Sequence, residues 1–318
     1  MSAPVAPSLA EPVLGRIPET ACRRQNRIGV GVMVTLFKLR VVALLLVAAF
    51  GGLILASGGM PGLGPATLLL ITGGMSAAGA SALNQYLERE RDGLMERTGR
   101  RPLPQGQIAQ PYWALLTGLG LVIMAVLIAW PFNPLLALFL FLGAAIYVGV
   151  YTLWLKPRTL TNIVIGGAAG SCAVLSGGAA VGPWQNVTDP GVLFLALLVF
   201  AWTPTHFWSL ALAYRGDYAR AGVPMLPVQT GPRQAAVWIL IHTALTGLIA
   251  LALASRPTLG PAYLVITGIA SAWLWRRSVH LVHRPDRKRA LALFVASNAY
   301  LGLVLLAASV ETLIRSYL

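Results

Sequence analysis

Charged residues are scarce in this chain. They make up 11% of its 318 residues and only ten of them are acidic, whereas 57% of the residues are hydrophobic and the mean hydropathy is +0.71. Water-soluble domains usually carry about 25% charged residues. The composition therefore excludes an ordinary soluble protein and predicts a membrane protein.

Cysteine is scarcer still, because Cys22 and Cys172 are the only two. Two cysteines cannot build a disulfide framework or a zinc site with four cysteine ligands. Residues 1–27 also lack an apolar run of the length that an export signal needs. We predict that residues 1–30 form a cytoplasmic, disordered tail and that residues 31–318 form a single domain.

Long apolar runs occupy most of the remaining sequence. A helix needs about 20 apolar residues to cross about 30 Å of hydrocarbon, and these runs show no alternation of period two, as a transmembrane barrel would require. The predicted fold class is all-α, a polytopic membrane bundle of nine transmembrane helices. The predicted spans are residues 41–58, 65–83, 111–130, 134–155, 161–182, 191–213, 234–255, 259–275 and 290–312.

Basic residues are distributed unevenly between the two ends of these helices. If the N-terminus is cytoplasmic, 22 of the 24 lysines and arginines fall inside, and Arg256 and Arg315 fall outside. This is the positive-inside pattern, so the net charge of +14 mainly reflects the orientation of the chain in the membrane. Because the charge is spread over several inner segments, no nucleic-acid partner is expected.

The segment NQYLERERDGLMERTGRRPLPQG, residues 84–106, holds four of the ten acidic residues and five of the 24 basic ones. Asn84, Glu88 and Asp92 are spaced by four, so a second helix that continues for two more turns presents their oxygens on one face. Asn84 and Asp92 would lie about 12 Å apart along the axis, which suggests two metal ions or one ion with ordered waters. Oxygen ligands for Mg²⁺ followed by arginines favour a diphosphate site over charges that only mark the membrane boundary.

A second acidic position follows the predicted sixth helix. Asp217 is the only carboxylate between Asp189 and Asp286, and it follows the sixth helix much as Glu88 follows the second. Two such loops that face each other could clamp one metal–diphosphate unit.

Five stretches carry a resemblance to a known family: FKLR, NQYLERERDGLMERTGRRPLPQG, YTLWLKPRTLTNIVIGGAAG, WTPTHFWSLALAYRGDYARAGVPMLPV and SNAYLGL. Over residues 30–313 the chain resembles the protohaem IX farnesyltransferases, a family of UbiA-type intramembrane prenyltransferases. The resemblance implies nine helices around a central, cytoplasm-facing cavity in the bacterial inner membrane. It also implies Mg²⁺-dependent transfer of a farnesyl group from farnesyl diphosphate to a vinyl group of haem B, with water addition, to give haem O and diphosphate.

The resemblance assigns roles to individual residues. It implies metal binding and catalysis by Asn84, Glu88, Asp92 and Asp217, with two Mg²⁺ ions as cofactor and haem B as substrate. Substrate contacts are expected from Lys38, Arg40, Arg97, Arg101, Lys156, Arg158, His206 and Tyr300. Glu88 stands where the family usually has aspartate, but it still supplies a carboxylate. The expected partners are the lipid bilayer and, downstream, the haem A-forming enzyme or terminal oxidase assembly.

Some assignments remain open at the level of sequence. His206 lies at membrane depth beside Pro204, where it could ligate haem iron, position the acceptor or make an interhelical hydrogen bond. A structural hydrogen bond explains Tyr300 equally well. An aromatic acid or a chlorin is an alternative acceptor, and a polytopic transporter is a more distant alternative because its polar residues should lie near the bilayer midplane.

Overall fold

The computed structural model describes residues 29–182 and 184–317, so most of the predicted tail lies outside the described residues. Within them the chain forms helices and no β-strand. In chain order the α-helices are α1 (Val30–Leu36), α2 (Leu39–Ser57), α3 (Leu63–Gly93), α4 (Tyr112–Ala129), α5 (Pro134–Ala145), α6 (Asn162–Gly166), α7 (Ala168–Val181), α8 (Trp184–Val187), α9 (Pro190–Ala213), α10 (Arg215–Arg220), α11 (Leu226–Thr230), α12 (Pro232–Leu253), α13 (Pro261–His283) and α14 (Arg287–Arg315). A π-helical segment, Ile146–Leu155, continues α5 directly.

Eight helical segments of the described chain are long and apolar enough to cross a membrane. They are α2, α3, α4, α5 with its π-helical continuation, α6 with α7, α9, α12 and α14. The chain is therefore a multi-pass membrane protein. The structure supports eight of the nine predicted spanning helices. The ninth, α13, lacks this support because Arg276 and Arg277 follow only 15 residues after its start. A crossing by α13 stays a prediction.

Small residues bring the backbones of α2 and α7 together. A Cβ atom at Gly177 would lie 2.7 Å from the Leu53 nitrogen and would collide with the Ala49 carbonyl oxygen, and one at Gly52 would collide with the Val174 carbonyl oxygen. In a bilayer such close approach supplies the van der Waals contact that holds helices together. The α2–α7 contact lies beside α9, which packs on both of these helices and is the most buried of the eight spans.

We expect Gly177→Ala to destabilise the bundle by about 1–3 kcal/mol, because the added methyl group has no room beside the α2 backbone. The matched control is Gly120→Ala on α4, where an added Cβ meets no atom within 4 Å. That change should be neutral or slightly stabilising, since alanine favours helix over glycine. Thermal unfolding of both variants in one detergent tests this, and equal losses of Tm would contradict it.

The two basic residues predicted on the outer side are both paired with carboxylates. Arg256 Nη2 lies 2.6 Å from Asp189 Oδ2, and Arg315 Nε lies 3.6 Å from Glu311 Oε1. The other Asp189 oxygen caps α9 by accepting from the Gly191 and Val192 nitrogens. This end of the bundle therefore exposes little net charge, and most of the basic residues lie at the opposite end, where α3 also ends.

Candidate active site

The predicted stripe of oxygen ligands lies on one face of α3 near its C-terminal end. The helix continues to Gly93, as the two-turn extension requires, and Asn84, Glu88 and Asp92 are all buried, at 2–3% exposure. Asn84 Nδ2 donates to Glu88 Oε2 at 3.0 Å, so the first two members touch. Burying two carboxylates this deeply is unfavourable unless cations or hydrogen-bond donors surround them.

The π-helical segment supplies some of these partners. Its wider turn lets side chains spaced by four or five residues share a face, and Tyr147, Thr152 and Lys156 all reach the same region. Asn84 Nδ2 also donates to Thr152 Oγ1 at 3.0 Å, and Lys156 forms an ion pair with Glu88. Sequence analysis missed Tyr147 and Thr152, because their spacing of five places them on different faces of an ordinary α-helix.

Lys38 enters from the turn between α1 and α2. It is the only non-glycine residue with positive φ in the described chain, at φ 49° and ψ 46°. Its Nζ atom donates to Asn84 Oδ1 at 2.6 Å and to the Tyr147 hydroxyl at 3.0 Å. The structure therefore places Lys38 beside the α3 stripe, and its expected contact with diphosphate stays a prediction.

The two partly buried lysines have different electrostatic surroundings. Burial, reinforced by the nearby Arg101 charge, lowers the pKa of Lys38 to about 7. Burial also disfavours the charge of Lys156, but the adjacent Glu88 carboxylate, together with Tyr218 and Tyr147, raises the pKa of Lys156 above its ordinary value. Lys156 is therefore a fixed cation beside Glu88.

The loop after α3 contacts both Asp92, on α3, and Asp217, on α10. Arg101 Nη1 donates to Asp92 Oδ2 at 2.6 Å, and the Arg97 backbone nitrogen donates to Asp217 Oδ2 at 3.3 Å. Asp217 lies on α10, is 6% exposed and pairs with Arg220. The structure thus brings Asp217 to the loop that also contacts Asp92, as expected for two facing acidic loops.

The structure does not bring two of the predicted cations to this cluster. Arg40 is exposed and makes none of the described polar contacts. Arg158 is also exposed, and its Nη1 atom donates to the Leu153 and Trp154 carbonyls at 2.9 Å, which closes the end of its own helical segment. Their expected contacts with substrate stay predictions.

His206 and Tyr300 make interhelical contacts. The His206 ring stacks between Trp202 and Phe294, with centroid distances of 4.4 and 4.3 Å, and its Nδ1 atom lies 2.9 Å from Ser297 Oγ. The Tyr300 hydroxyl lies 3.1 Å from Ser271 Oγ. For both residues the geometry matches the structural alternative, and substrate contact stays a prediction.

The donor set fits a hard divalent cation such as Mg²⁺. Asn84, Glu88, Asp92 and Asp217 offer amide and carboxylate oxygens, and buried Glu88 Oε1 accepts no hydrogen bond of normal geometry although it touches the Lys156 ammonium. In the described chain no three His, Cys, Asp or Glu side chains are grouped closely enough to hold one ion. Substrate and water oxygens would therefore have to complete the coordination.

The fold and this cluster define a polytopic membrane protein with oxygen ligands and cations grouped at one end of a helical bundle. Comparison with known sequences identifies the family. The chain belongs to the UbiA prenyltransferase family, whose sequence pattern matches residues 44–304, and it is accordingly a prenyltransferase.

Individual relatives agree with this assignment. Protoheme IX farnesyltransferase 2 of Paramagnetospirillum magneticum is 44% identical over 289 residues, or 89% of this chain and 97% of that protein. Protoheme IX farnesyltransferase of Metallosphaera sedula is 40% identical over 272 residues, or 85% of this chain and 92% of that protein. A UbiA homologue from Archaeoglobus fulgidus, solved bound to DMAPP and Mg²⁺, is 18% identical with a TM-score of 0.60, covering 87% of this chain and 99% of that chain. This last likeness concerns the fold alone.

Proposed function

We propose that this chain transfers a farnesyl group from farnesyl diphosphate to a vinyl group of haem B, in a Mg²⁺-dependent reaction with water addition that yields haem O and diphosphate. The observation that carries the proposal is the 44% identity, over 89% of the chain, to a protein named Protoheme IX farnesyltransferase 2. The buried oxygens and cations around α3 are the groups that a metal–diphosphate leaving group requires. An aromatic acid or chlorin acceptor has no comparable support.

The acidic residues would hold the metal. Asn84, Glu88 and Asp92 on α3 and Asp217 on α10 would bind two Mg²⁺ ions together with substrate oxygens. When bound, Mg²⁺ would neutralise the negative charge that develops on diphosphate as the allylic carbon–oxygen bond ionises.

Four basic side chains are suited to the diphosphate itself. Lys38, Arg101 and Lys156 already donate to or pair with oxygens of the acidic face, and Arg97 lies on the loop whose backbone contacts Asp217. Their charges would stabilise the leaving diphosphate in a site that the helices shield from water. Binding requires them to exchange carboxylate or amide contacts for phosphate contacts, which the flexible stems of lysine and arginine permit.

The site would face the cytoplasm of a bacterial inner membrane. The support is the positive-inside pattern together with the paired, nearly neutral outer end. Haem B and farnesyl diphosphate, whose long chains and rings are largely apolar, would enter from the bilayer or its inner surface. The haem A-forming enzyme or terminal oxidase assembly would receive the product.

Product analysis by mass spectrometry tests the proposal. Purified protein in lipid is incubated with haem B and farnesyl diphosphate, with Mg²⁺ or with a chelator. A hydroxyethylfarnesyl haem that forms only with Mg²⁺ is the expected result. Consumption of farnesyl diphosphate with haem B intact would instead identify a different acceptor.

A further inference from the structure

We propose that Gln85 is a positioning residue, which holds Lys38 in the candidate site by fixing the turn between α1 and α2. The inference rests on the proposed function in one respect, namely that Lys38 binds the diphosphate. Gln85 was not among the residues that sequence analysis selected, because it lies beside the stripe and not on it.

Gln85 acts on the backbone of the turn. It is 1% exposed, and its Nε2 atom donates to the Thr35 carbonyl at 2.6 Å and to the Leu36 carbonyl at 2.8 Å. These carbonyls belong to the last turn of α1, where helix carbonyls lack partners within the helix. Since both neighbours are acceptors, the amide orientation is determined, and Gln85 Oε1 remains buried without a hydrogen-bond partner.

The turn is one that a lysine does not adopt readily. Lys38 has left-handed backbone angles, which are unfavourable for a residue with a Cβ atom and persist only where the surroundings impose them. The Lys38 nitrogen donates to the Thr35 carbonyl at 3.3 Å, the same carbonyl that Gln85 holds. The Gln85 amide is therefore bonded directly to the strained turn.

The left-handed turn has a consequence for the side chain. It directs Lys38 Nζ to Asn84 Oδ1 and to the Tyr147 hydroxyl. Two consecutive residues of α3 thus act on Lys38. Gln85 fixes the backbone of its turn, and Asn84 accepts a hydrogen bond from its ammonium group. Without Gln85 the turn can relax to right-handed angles, and the ammonium group leaves the site.

A double-mutant cycle separates positioning from general packing. Gln85→Met removes both donors at similar size, and Lys38→Met removes the cation. We expect each single change to weaken binding of inorganic diphosphate with Mg²⁺ about tenfold in calorimetry and to raise the KM for farnesyl diphosphate by a similar factor. The double variant should be no weaker than Lys38→Met, because Gln85 acts through Lys38. Independent, multiplying losses would overturn the inference.

Hydrogen exchange gives a readout that does not depend on catalysis. In Gln85→Met the amides of residues 35–42 should exchange at least about tenfold faster, whereas Gln185→Met, at an exposed position on α8, should leave them unchanged. If the methionine variant does not fold, Gln85→Asn replaces it in this experiment, because asparagine keeps the amide group on a side chain that is one methylene shorter. Unchanged exchange at 35–42 would overturn the role of Gln85. Failure of the wild-type protein to bind diphosphate would overturn the proposed function and the assignment of Lys38 to diphosphate binding. It would not overturn the stabilisation of the turn by Gln85.

Discussion

Asp92→Asn is expected to lower kcat/KM for farnesyl transfer by about 10²- to 10³-fold while the protein stays folded. Asp92 is 3% exposed, and its carboxylate pairs with Arg101 at 2.6 Å. Asparagine keeps the shape of the side chain but removes the negative charge, and an amide oxygen is a weaker ligand for Mg²⁺. Because the Arg101 side chain is 17% exposed, its charge can still reach water in the variant. The loss should therefore appear in catalysis more than in stability.

Glu90→Gln is the matched control, since it makes the same chemical change two residues away. The Glu90 side chain is 86% exposed and pairs with Arg89 at 3.3 Å. Exposed pairs contribute about 0–1 kcal/mol, so activity should change by less than about twofold. Product formation at several Mg²⁺ concentrations measures both variants. Equal rates for Asp92→Asn and the wild-type protein would exclude Asp92 as a metal ligand, and equal losses in both variants would indicate a general effect on α3.

The α3 stripe could be predicted from the sequence because it depends on local geometry alone. Residues spaced by four share a helix face, and the structure places Asn84, Glu88 and Asp92 together for that reason. The approach of Asp217 depends on where the loop after α3 lies. Its equivalent place after the sixth predicted span was nevertheless a sufficient signal, since alternating helices bring such loops to the same end of the bundle.

Two features of the backbone determine contacts that residue spacing did not indicate. The π-helical segment changes which residues share a face, so Lys156 reaches the acidic cluster while Arg158 caps its own helix. Lys38 lies in a left-handed turn and its side chain contacts Asn84, whereas Arg40, two residues later, is exposed. Both features depend on tertiary contacts that residue spacing does not encode, and the same contacts explain why Gln85 was missed.

The boundary of α13 shows a limit of a different kind. The sequence predicts a span over 259–275, and the structure has a helix from Pro261 to His283. Its apolar part is short because Arg276 and Arg277 lie within the helix. Length alone therefore supports a crossing, whereas composition does not.

Lys156→Met should have a large effect on both stability and activity. The Lys156 and Glu88 side chains are 13% and 4% exposed. Removing one partner of a buried ion pair leaves an uncompensated charge and typically costs about 3–5 kcal/mol. Diphosphate binding should weaken in parallel, because one of the four cations is lost. Unfolding in a fixed detergent and calorimetric titration with diphosphate and Mg²⁺ measure the two effects separately.

The double variant Lys156→Met with Glu88→Leu tells these effects apart. Replacing a buried ion pair by apolar side chains of similar size is often neutral or stabilising, so stability should recover, whereas farnesyl transfer should stay lost. The exposed Arg289–Asp286 pair, with side chains 38% and 46% exposed, is the control and should cost about 0–1 kcal/mol when Arg289 is changed to Met. A double variant no more stable than Lys156→Met would contradict this account. If stability does recover, the fold does not require the pair, and that result supports the proposal that Glu88 binds the metal and Lys156 binds the diphosphate.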